Sequence, residues 1–269
     1  MNDTGERARS THTGGLVIVT GDGPEHRFVA QRIAAAFPVR AILLCDPAPR
    51  RAWHRVLRRD PLRFVDKALW YLYLKLVRDQ QKRAAALSEL LGPERLEFPD
   101  AVLLEWVGQP RSGRLTEVLA ALAPDVIAVY GTSVVPDAAV AEARRIAFNL
   151  HTGISPRYRG TACAFWPIHN GEPEWVGATV HECTAAIDGG RIFATCFARP
   201  QRGDSLHHIF ARAVLAGTDI YVDVIGKALA GCIQGKSQDL SAGYEYSGSE
   251  RGLISELRAR RRLARMNRN

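Results

Sequence analysis

The chain has 269 residues, 46% of them hydrophobic and 24% charged, which suits a globular protein with a sizeable core and excludes a disordered or fibrous one. Its formal net charge of +8 is concentrated in two places: residues 47–84 hold eleven Lys or Arg against three Asp, and residues 251–269 hold seven Arg against one Glu, so the remainder is acidic. No apolar run reaches the ~20 residues of a membrane-spanning helix, the first residues lack the apolar core of a signal peptide, and five cysteines without a Cys-x-x-Cys pair suit buried thiols in a reduced, cytoplasmic setting.

Residues 1–15 read as a disordered leader. Residues 16–20 form a continuous apolar run, as expected of a buried parallel strand. Gly21-Asp22-Gly23 then turns the chain, Pro24 suits the first turn of a helix, and Phe28, Val29, Ile33 and Phe37 mark that helix's buried face. A second strand over 39–46 completes a β-α-β unit. The Gly-x-Gly turn with Asp46 beyond it permits a dinucleotide reading, but His26 stands where the third glycine of that fingerprint belongs.

Residues 47–91 read as a helical insertion in which Leu62, Val65, Leu69, Leu72 and Leu76 recur at helical spacing, with Trp70, Tyr71 and Tyr73 widening the apolar surface. The expectation is a helical hairpin packed on the sheet with solvated Lys and Arg. A lid, a dimer contact and a basic surface for lipid or nucleic acid are the alternatives.

Further strands are expected over 101–107, 126–130 and 147–151, with helices over 115–122 and 138–145 between them. Residues 163–169 read as a helix ending at the Asn170-Gly171 turn, and 175–182 with 191–198 as a strand pair around the loop that holds Asp188. Asp204 or Ser205 caps a long helix whose buried stripe includes Ile209, Val214, Tyr221 and Ile225, while His207 and His208 are expected to be solvated or capping. Residues 243–249 read as a break, and 250–266 as a basic helix or a solvated tail. This alternation predicts an α/β fold, a doubly wound, mostly parallel, Rossmann-like sheet with its site at the carboxyl ends of the strands. A catalytic domain is expected over 16–231, and a C-terminal extension over 232–269.

Asn149 and His151 stand two apart on a strand and so share a face. Asp188 precedes Gly189-Gly190, in a loop whose backbone can approach a ligand closely. An amide, an imidazole and a carboxylate could together stabilise an oxyanion, move a proton and hold a base in place. On spacing alone each also has a structural reading: a turn-forming Asn, a strand-end His bonded to backbone, an Asx-turn Asp. A metal site from His151, His181 and Asp188 lacks any standard ligand spacing and is not expected.

In this order, Asn149-Leu150-His151, Pro156-Arg157-Tyr158-Arg159-Gly160, Thr179-Val180-His181 and Asp188-Gly189-Gly190 resemble the motifs of the folate-dependent formyltransferases. That family includes glycinamide ribonucleotide transformylase, methionyl-tRNA formyltransferase and the amino-sugar N-formyltransferases. The resemblance implies direct formyl transfer from 10-formyltetrahydrofolate, as co-substrate and without a metal, to a primary amine. Asn149 would donate to the tetrahedral oxyanion, His151 would stabilise the same oxygen or move the proton, and Asp188 would orient that traffic. Tyr130, Gly131, Thr132, Ser133, Val134 and Val135, with Ile187, Gly189 and Gly190, would face the folate. Gly21, Asp22, Gly23, Arg157, Tyr158, Arg159, Gly160 and His181 would stand on the acceptor side.

Two departures bear on the acceptor. Where glycinamide ribonucleotide transformylase cradles a phosphate, this chain reads Gly21-Asp22-Gly23-Pro24-Glu25-His26, with two added carboxylates and one N–H fewer, both unfavourable to phosphate. The family's usual Ser-Leu-Leu-Pro is Gly153-Ile154-Ser155-Pro156. The C-terminal β-barrel domain of methionyl-tRNA formyltransferases is not expected after Ala230. The resemblance therefore implies an amino sugar, free or nucleotide-linked, as acceptor, a reading that Phe165-Trp166 supports. The alternatives are a formyltetrahydrofolate deformylase, a glycinamide ribonucleotide formyltransferase and a non-catalytic folate binder. Expected partners are the small-molecule amine and the folate, with no stable nucleic acid and with a homodimer as an option.

Overall fold

The computed structural model describes residues 15–47, 60–93, 97–100 and 102–268. The leader expected at the start, Gly15 apart, and residues 48–59 of the insertion lie outside the described residues.

Strands β1 (Leu16–Thr20), β2 (Val39–Cys45), β3 (Leu103–Gly108), β4 (Val126–Tyr130) and β5 (Ile146–His151) run parallel. A separate short strand, β6 (Tyr158–Gly160), follows, and β7 (Gly177–Glu182) and β8 (Ile192–Phe197) then add to the main sheet antiparallel beyond β5. The resulting order is β3-β2-β1-β4-β5-β7-β8. Chain direction across the sheet reverses between β1 and β4, which puts a crevice at their carboxyl ends. The unbroken apolar runs of β1 and β4 follow from burial on both faces. Leu16 and Ile18 pack with Val29 and Ile33 of α1 (Pro24–Ala36) and with Val214 and Tyr221 of a long helix, while Val17 and Val19 pack with Leu115 and Leu119 on the other face.

In the insertion, α2 (Pro61–Leu76) is capped by Asp60, whose carboxylate accepts the Arg63 N–H at 2.9 Å, and α3 (Asp79–Leu91) buries Ala86, Leu87 and Leu91. On the far side of the sheet, α4 (Arg114–Leu122) supplies Leu115 and Leu119. The helix expected over 138–145 is the four-residue α5 (Asp137–Val140). The one expected over 163–169 starts later, as α6 (Trp166–Asn170), after a turn over residues 163–165. Trp175 lies in a 3-10 turn (Pro173–Trp175) ahead of β7 and not within it. The long helix is α7 (Leu206–Leu229), capped by Ser205 through the His208 N–H, and the Tyr221 hydroxyl reaches the carbonyls of Val129 and Phe148 at 3.0 and 3.1 Å, fastening the helix beneath β4 and β5. His208 completes the cap, but His207 is held at 3.0 Å from Asp79 and is not solvated.

Three expectations fail. The apolar stripe of α2 (Leu62, Val65, Leu69, Leu72, Leu76) does not pack on the sheet: all five side chains are exposed. The inner side of α2 is instead the one that carries Trp70 and Tyr73, toward the C-terminal helix α8 (Leu253–Met266). Residues 243–249 are not a break, since β9 (Tyr244–Tyr246) pairs in parallel with β6. Nor is α8 a solvated tail. Ala259 and Leu263 pack with Trp166 and Ile168, and the fully buried Glu256 accepts hydrogen bonds from Arg251 (2.8 Å), Arg260 (2.7 Å) and Trp70 (3.3 Å). Among the cysteines, Cys45 and Cys163 are buried and Cys183 and Cys196 half-buried, but Cys232 is exposed and does not belong to the core.

Removing one member of a buried charge network leaves its partners uncompensated. Glu256→Ala is therefore expected to destabilise the protein by about 3 kcal/mol, with Glu256→Gln losing less, as measured by urea denaturation.

Candidate active site

The carboxyl ends of β4 and β5 open into a cavity of about 1080 Å³. Asn149 and His151, on one face of β5, line it together with His181 of β7 and Asp188 of the β7–β8 loop. Antiparallel pairing sets Asn149 directly beside His181. The Asp188 carboxylate, 11% exposed, is the centre of the group. Its Oδ2 accepts the Gly160 N–H at 2.7 Å and lies 3.3 Å from His151 Nδ1, while its Oδ1 lies 3.2 Å from His181 Nε2 and 3.4 Å from Asn149 Nδ2. Gly160 has a φ of 88°, and a Cβ there would stand 2.3 Å from the Tyr246 carbonyl, so glycine lets β6 both pair with β9 and aim its amide at Asp188.

Backbone carbonyls set the tautomers of both imidazoles. His151 Nε2 faces the Tyr158 carbonyl at 3.0 Å and must carry a proton, which leaves its Nδ1 lone pair turned to Asp188. His181 Nδ1 faces the Glu182 carbonyl at 2.8 Å, so the neutral ring accepts at Nε2 from the Asn149 amide at 3.1 Å. Burial pushes His151 below its usual value, and the Asp188 carboxylate opposes that shift. Burial raises Asp188, but His151 and His181 outweigh it and hold the carboxyl well below the usual carboxylate range.

Of the residues expected to face the folate, most line the cavity. Tyr130, Gly131, Thr132, Ser133, Val134, Val135 and Ile187 line the cavity, but Gly189 and Gly190 do not. Gly190 serves a close backbone approach, since a Cβ there would stand 2.0 Å from the Glu182 carbonyl.

The acceptor side differs more. Gly21, Asp22 and Gly23 do not line the cavity, and Asp22 pairs outward with Arg27 at 2.6 Å. Arg157 is bidentate to Glu172 and lies over Trp175, Tyr158 donates its hydroxyl to Glu172 at 2.6 Å, and the buried Arg159 reaches the carbonyls of Ile187 and Leu240. These three shape the turn from behind; Gly160 and His181 alone of the expected acceptor residues face the cavity with Asn149, His151 and Asp188.

Sequence reasoning missed three segments of the wall. Glu25 and His26 line the cavity just past the expected glycines. His26 Nδ1 accepts the Gly23 N–H at 2.9 Å and its ring bonds the Gly131 backbone, which joins the loops after β1 and β4. From α2 come Arg63, Lys67, Trp70 and Tyr71, and from the chain after β9 come Ser247, Gly248 and Ser249. Lys67 Nζ donates to the carbonyls of Gly248 and Arg251; burial, then Arg251, push this ammonium down to about 8. The loop shift was readable in the Glu25-His26 pair, but nothing local marks α2 or residues 247–249 as cavity wall. Cys183 also lines the cavity, where burial pushes its thiol up to about 12, unsuited to a nucleophile. Among the described residues no group of three or more His, Cys, Asp or Glu is placed to hold a metal ion, and no helix is long and apolar enough to cross a membrane.

Residues 103–225 match the family model for formyl transferase. The methionyl-tRNA formyltransferase of Lacticaseibacillus paracasei is 32% identical over 170 residues, 62% of this chain and 48% of that protein, and that of Chlorobium chlorochromatii is 33% identical over 114 residues, 42% of this chain and 36% of that protein. The matched stretch thus spans about half the length of these curated relatives, or less. Among solved structures, a Shewanella sugar N-formyltransferase superposes with a TM-score of 0.59 at 15% identity, over 94% of this chain and 88% of that one. An N-formyltransferase from Helicobacter canadensis, in complex with folinic acid and dTDP-3-aminofucose, gives 0.56 at 14% identity over 93% and 80%. Glycinamide ribonucleotide transformylase 1 from Symbiobacterium toebii gives 0.54 at 17% identity over 88% and 100%. The sheet is Rossmann-like α/β, and the match of residues 103–225 to the formyl transferase model agrees with the resemblance read from the motifs.

Gly131 has a φ of 66°, and a Cβ there would stand 2.1 Å from His26 Nε2. Gly131→Ala is expected to cost about 1–2 kcal/mol from the left-handed backbone alone, plus the clash. Pairing it with His26→Ala should recover the clash and not the backbone cost, a non-additivity that a thermal-denaturation double-mutant cycle measures.

Proposed function

We propose that this protein is an N-formyltransferase that moves a formyl group from 10-formyltetrahydrofolate to a primary amine of a small molecule, an amino sugar in free or nucleotide-linked form. The observation that carries the reading is the buried Asp188 carboxylate with His151, His181 and Asn149 around it, at the edge of a cavity large enough for two substrates. The folate supplies a formyl carbon at the acyl-transfer level. The residues present fit it: the segment from Tyr130 to Val135, with Ile187, offers a mostly uncharged wall along one stretch of the cavity. Residues 16–231 are the catalytic domain in this reading, and residues 232–269 complete its cavity.

His151 and Asp188 form the proton-accepting pair. The unprotonated His151 turns its Nδ1 lone pair to a carboxylate, so the proton lost by the attacking amine would find a place where both ring N–H groups have acceptors, Tyr158 O and Asp188 Oδ2, and would pass from there to the folate nitrogen that leaves as the formyl C–N bond breaks. Asn149 already gives one N–H to His181, and its other makes only a 3.4 Å contact with Asp188. That second N–H is the donor available to an oxyanion. His181 fixes the orientation of the amide and does no chemistry itself.

The acceptor loop supports a sugar over a monophosphate. His26 consumes the Gly23 N–H that a phosphate would need, and Glu25 puts a buried carboxylate there. Glu25 pairs through Oε1 with Arg83, and its Oε2 has no hydrogen-bond partner among the described residues. A hydroxyl or ammonium of the acceptor would satisfy that oxygen, and a phosphate would be repelled. The residues of α2 and of the chain after β9 on the cavity wall support a small acceptor.

The test is tetrahydrofolate release from 10-formyltetrahydrofolate with a panel of amino sugars and their nucleotide conjugates. Amine-dependent release is expected, while formate release without amine would indicate a hydrolase. Asn149→Ala should lower kcat by about 10²–10³-fold, the effect of removing one oxyanion donor. Since His151 must be unprotonated to accept, and burial lowers its pKa, the acid limb of kcat/KM should lie below pH 6.5. Asp188→Asn removes the charge that raises His151, so the limb should move to still lower pH as the rate falls. Glu25→Gln should raise the acceptor KM with little change in kcat, the signature of lost uniform binding.

A further inference from the structure

The cavity wall carries charge of both signs on different segments. Glu25 and Asp188 bring carboxylates, while α2 and the chain after β9 set Arg63 and Lys67 beside Ser247, Gly248 and Ser249. Lys67 is half-buried; its ammonium donates to the carbonyls of Gly248, at 2.9 Å, and Arg251, and stands 4.1 Å from the centre of the Trp70 ring. Among the described residues it pairs with no carboxylate. The acids around it are committed elsewhere. On α2 itself, Asp66 accepts the Ile254 N–H at 3.1 Å, and in α8 Glu256 takes Arg251, Arg260 and Trp70. Glu250 takes the Tyr244 hydroxyl and the Ser247 N–H, and Glu245 leans toward Arg159 at 3.9 Å. Burial, then Arg251, push Lys67 down to about 8, with Arg63 adding to them and Asp66 opposing. The exposed Arg63 has only a loose pair with Asp60, at 3.7 Å. Two cations thus face the cavity without the counter-charge that burial calls for.

We propose that Lys67 and Arg63 hold a phosphate group of the acceptor, so that the amine donated to the reaction proposed above belongs to a phosphate-bearing sugar, a nucleotide conjugate or a sugar phosphate, and not to a free amino sugar. The choice of acceptor rests on that reading of the site; the anion subsite itself does not. The Arg63 guanidinium can meet two phosphate oxygens at once, and Lys67 keeps one N–H beyond the two that its carbonyls take. The Ser247 and Ser249 hydroxyls, 2.8 Å apart, share one hydrogen between them and leave the other O–H to donate. A phosphate here avoids the loop after β1, where Glu25 stands and His26 has taken the Gly23 N–H. Trp70 and Tyr71, with ring centres 4.9 Å apart, flank the cations on the same wall and offer a base an aromatic face, which favours the nucleotide conjugate of the two.

Calorimetric titration of the full chain with uridine diphosphate, thymidine diphosphate and inorganic pyrophosphate tests the subsite without turnover. At pH 8, in two buffers of different ionisation enthalpy, binding is expected to take up protons, because an anion beside Lys67 raises it from about 8. Lys67→Met should abolish that uptake and weaken binding by about tenfold or more, the loss of a hydrogen bond to a charged group. Arg63→Gln, a change at an exposed side chain, should weaken binding and keep the uptake, and Lys75→Met, an equal loss of charge elsewhere on α2, should change neither. Nucleotides that bind more tightly than pyrophosphate support the nucleotide conjugate, and equal binding supports the sugar phosphate. Absence of binding by all three probes, or equal effects of Arg63→Gln and Lys75→Met, would overturn the proposal. So would folinic acid binding that weakens in both cavity variants as much as nucleotide binding does, which would put the folate's own carboxylates there. Nucleotide binding through both residues with no formyl transfer to any amine would sustain the subsite and sink the proposed reaction. Transfer to a free amino sugar with the same kcat/KM as to its nucleotide conjugate would do the reverse.

Discussion

The structure depends on keeping one carboxylate charged inside the protein. Asp188 is nearly out of contact with water, and an ionised group in that setting is tolerable only when every oxygen has partners. Several segments converge on it: the Gly160 amide of β6 and the Asn149 amide of β5 point their N–H groups at the carboxylate, His151 of β5 and His181 of β7 stand against it, and Gln238, ahead of β9, holds the backbone carbonyls of Asp188 and Gly190 at 2.9 and 2.5 Å. Asp188 itself has a φ of 49°, a left-handed conformation that an Asp accepts more readily than most residues. The antiparallel edge of the sheet, the glycine in β6 and the late return of the chain all serve the same few cubic ångströms.

The crevice at the reversal of the sheet is where folds of this kind place anions, on the first helix's N-terminus. Here that position is filled from within. His26 takes the amide, bonds across to the loop after β4, and leaves Glu25 in the wall. That loop thereby presents a buried carboxylate in place of an open amide.

Much of the fold was legible because it rests on local patterns. The apolar runs of β1 and β4, the helical stripe of α7 and the Ser205 cap follow directly from burial and capping physics. The cluster around Asp188 was legible through its order of motifs, and Asn149, His151 and Asp188 do come together. What failed were inferences about which side of an element is covered. Periodicity reports that α2 has an apolar face, but not that α8 has taken the other one, and an Arg-rich stretch looks solvated until a buried Glu256 gathers two of its guanidinium groups. Arg157, Tyr158 and Arg159 sit in the right motif yet face Glu172 and backbone carbonyls, because a turn can be shaped from behind as well as lined. Gly21 to Gly23 missed by two residues, once a side chain claimed the amide they were expected to offer.

The parallel pairing of β6 with β9 has a consequence for the order in which the protein becomes competent. Parallel strands with long intervening chain are slow to meet, because loop-closure entropy opposes them before any contact rewards it. The main sheet and α7 can consolidate before that long-range pairing closes. The floor of the cavity is thus assembled early and its remaining wall late, when Tyr246 settles against Trp166 and Tyr158. Until then the cluster around Asp188 stays open to water on the side that β9 and the residues after it cover.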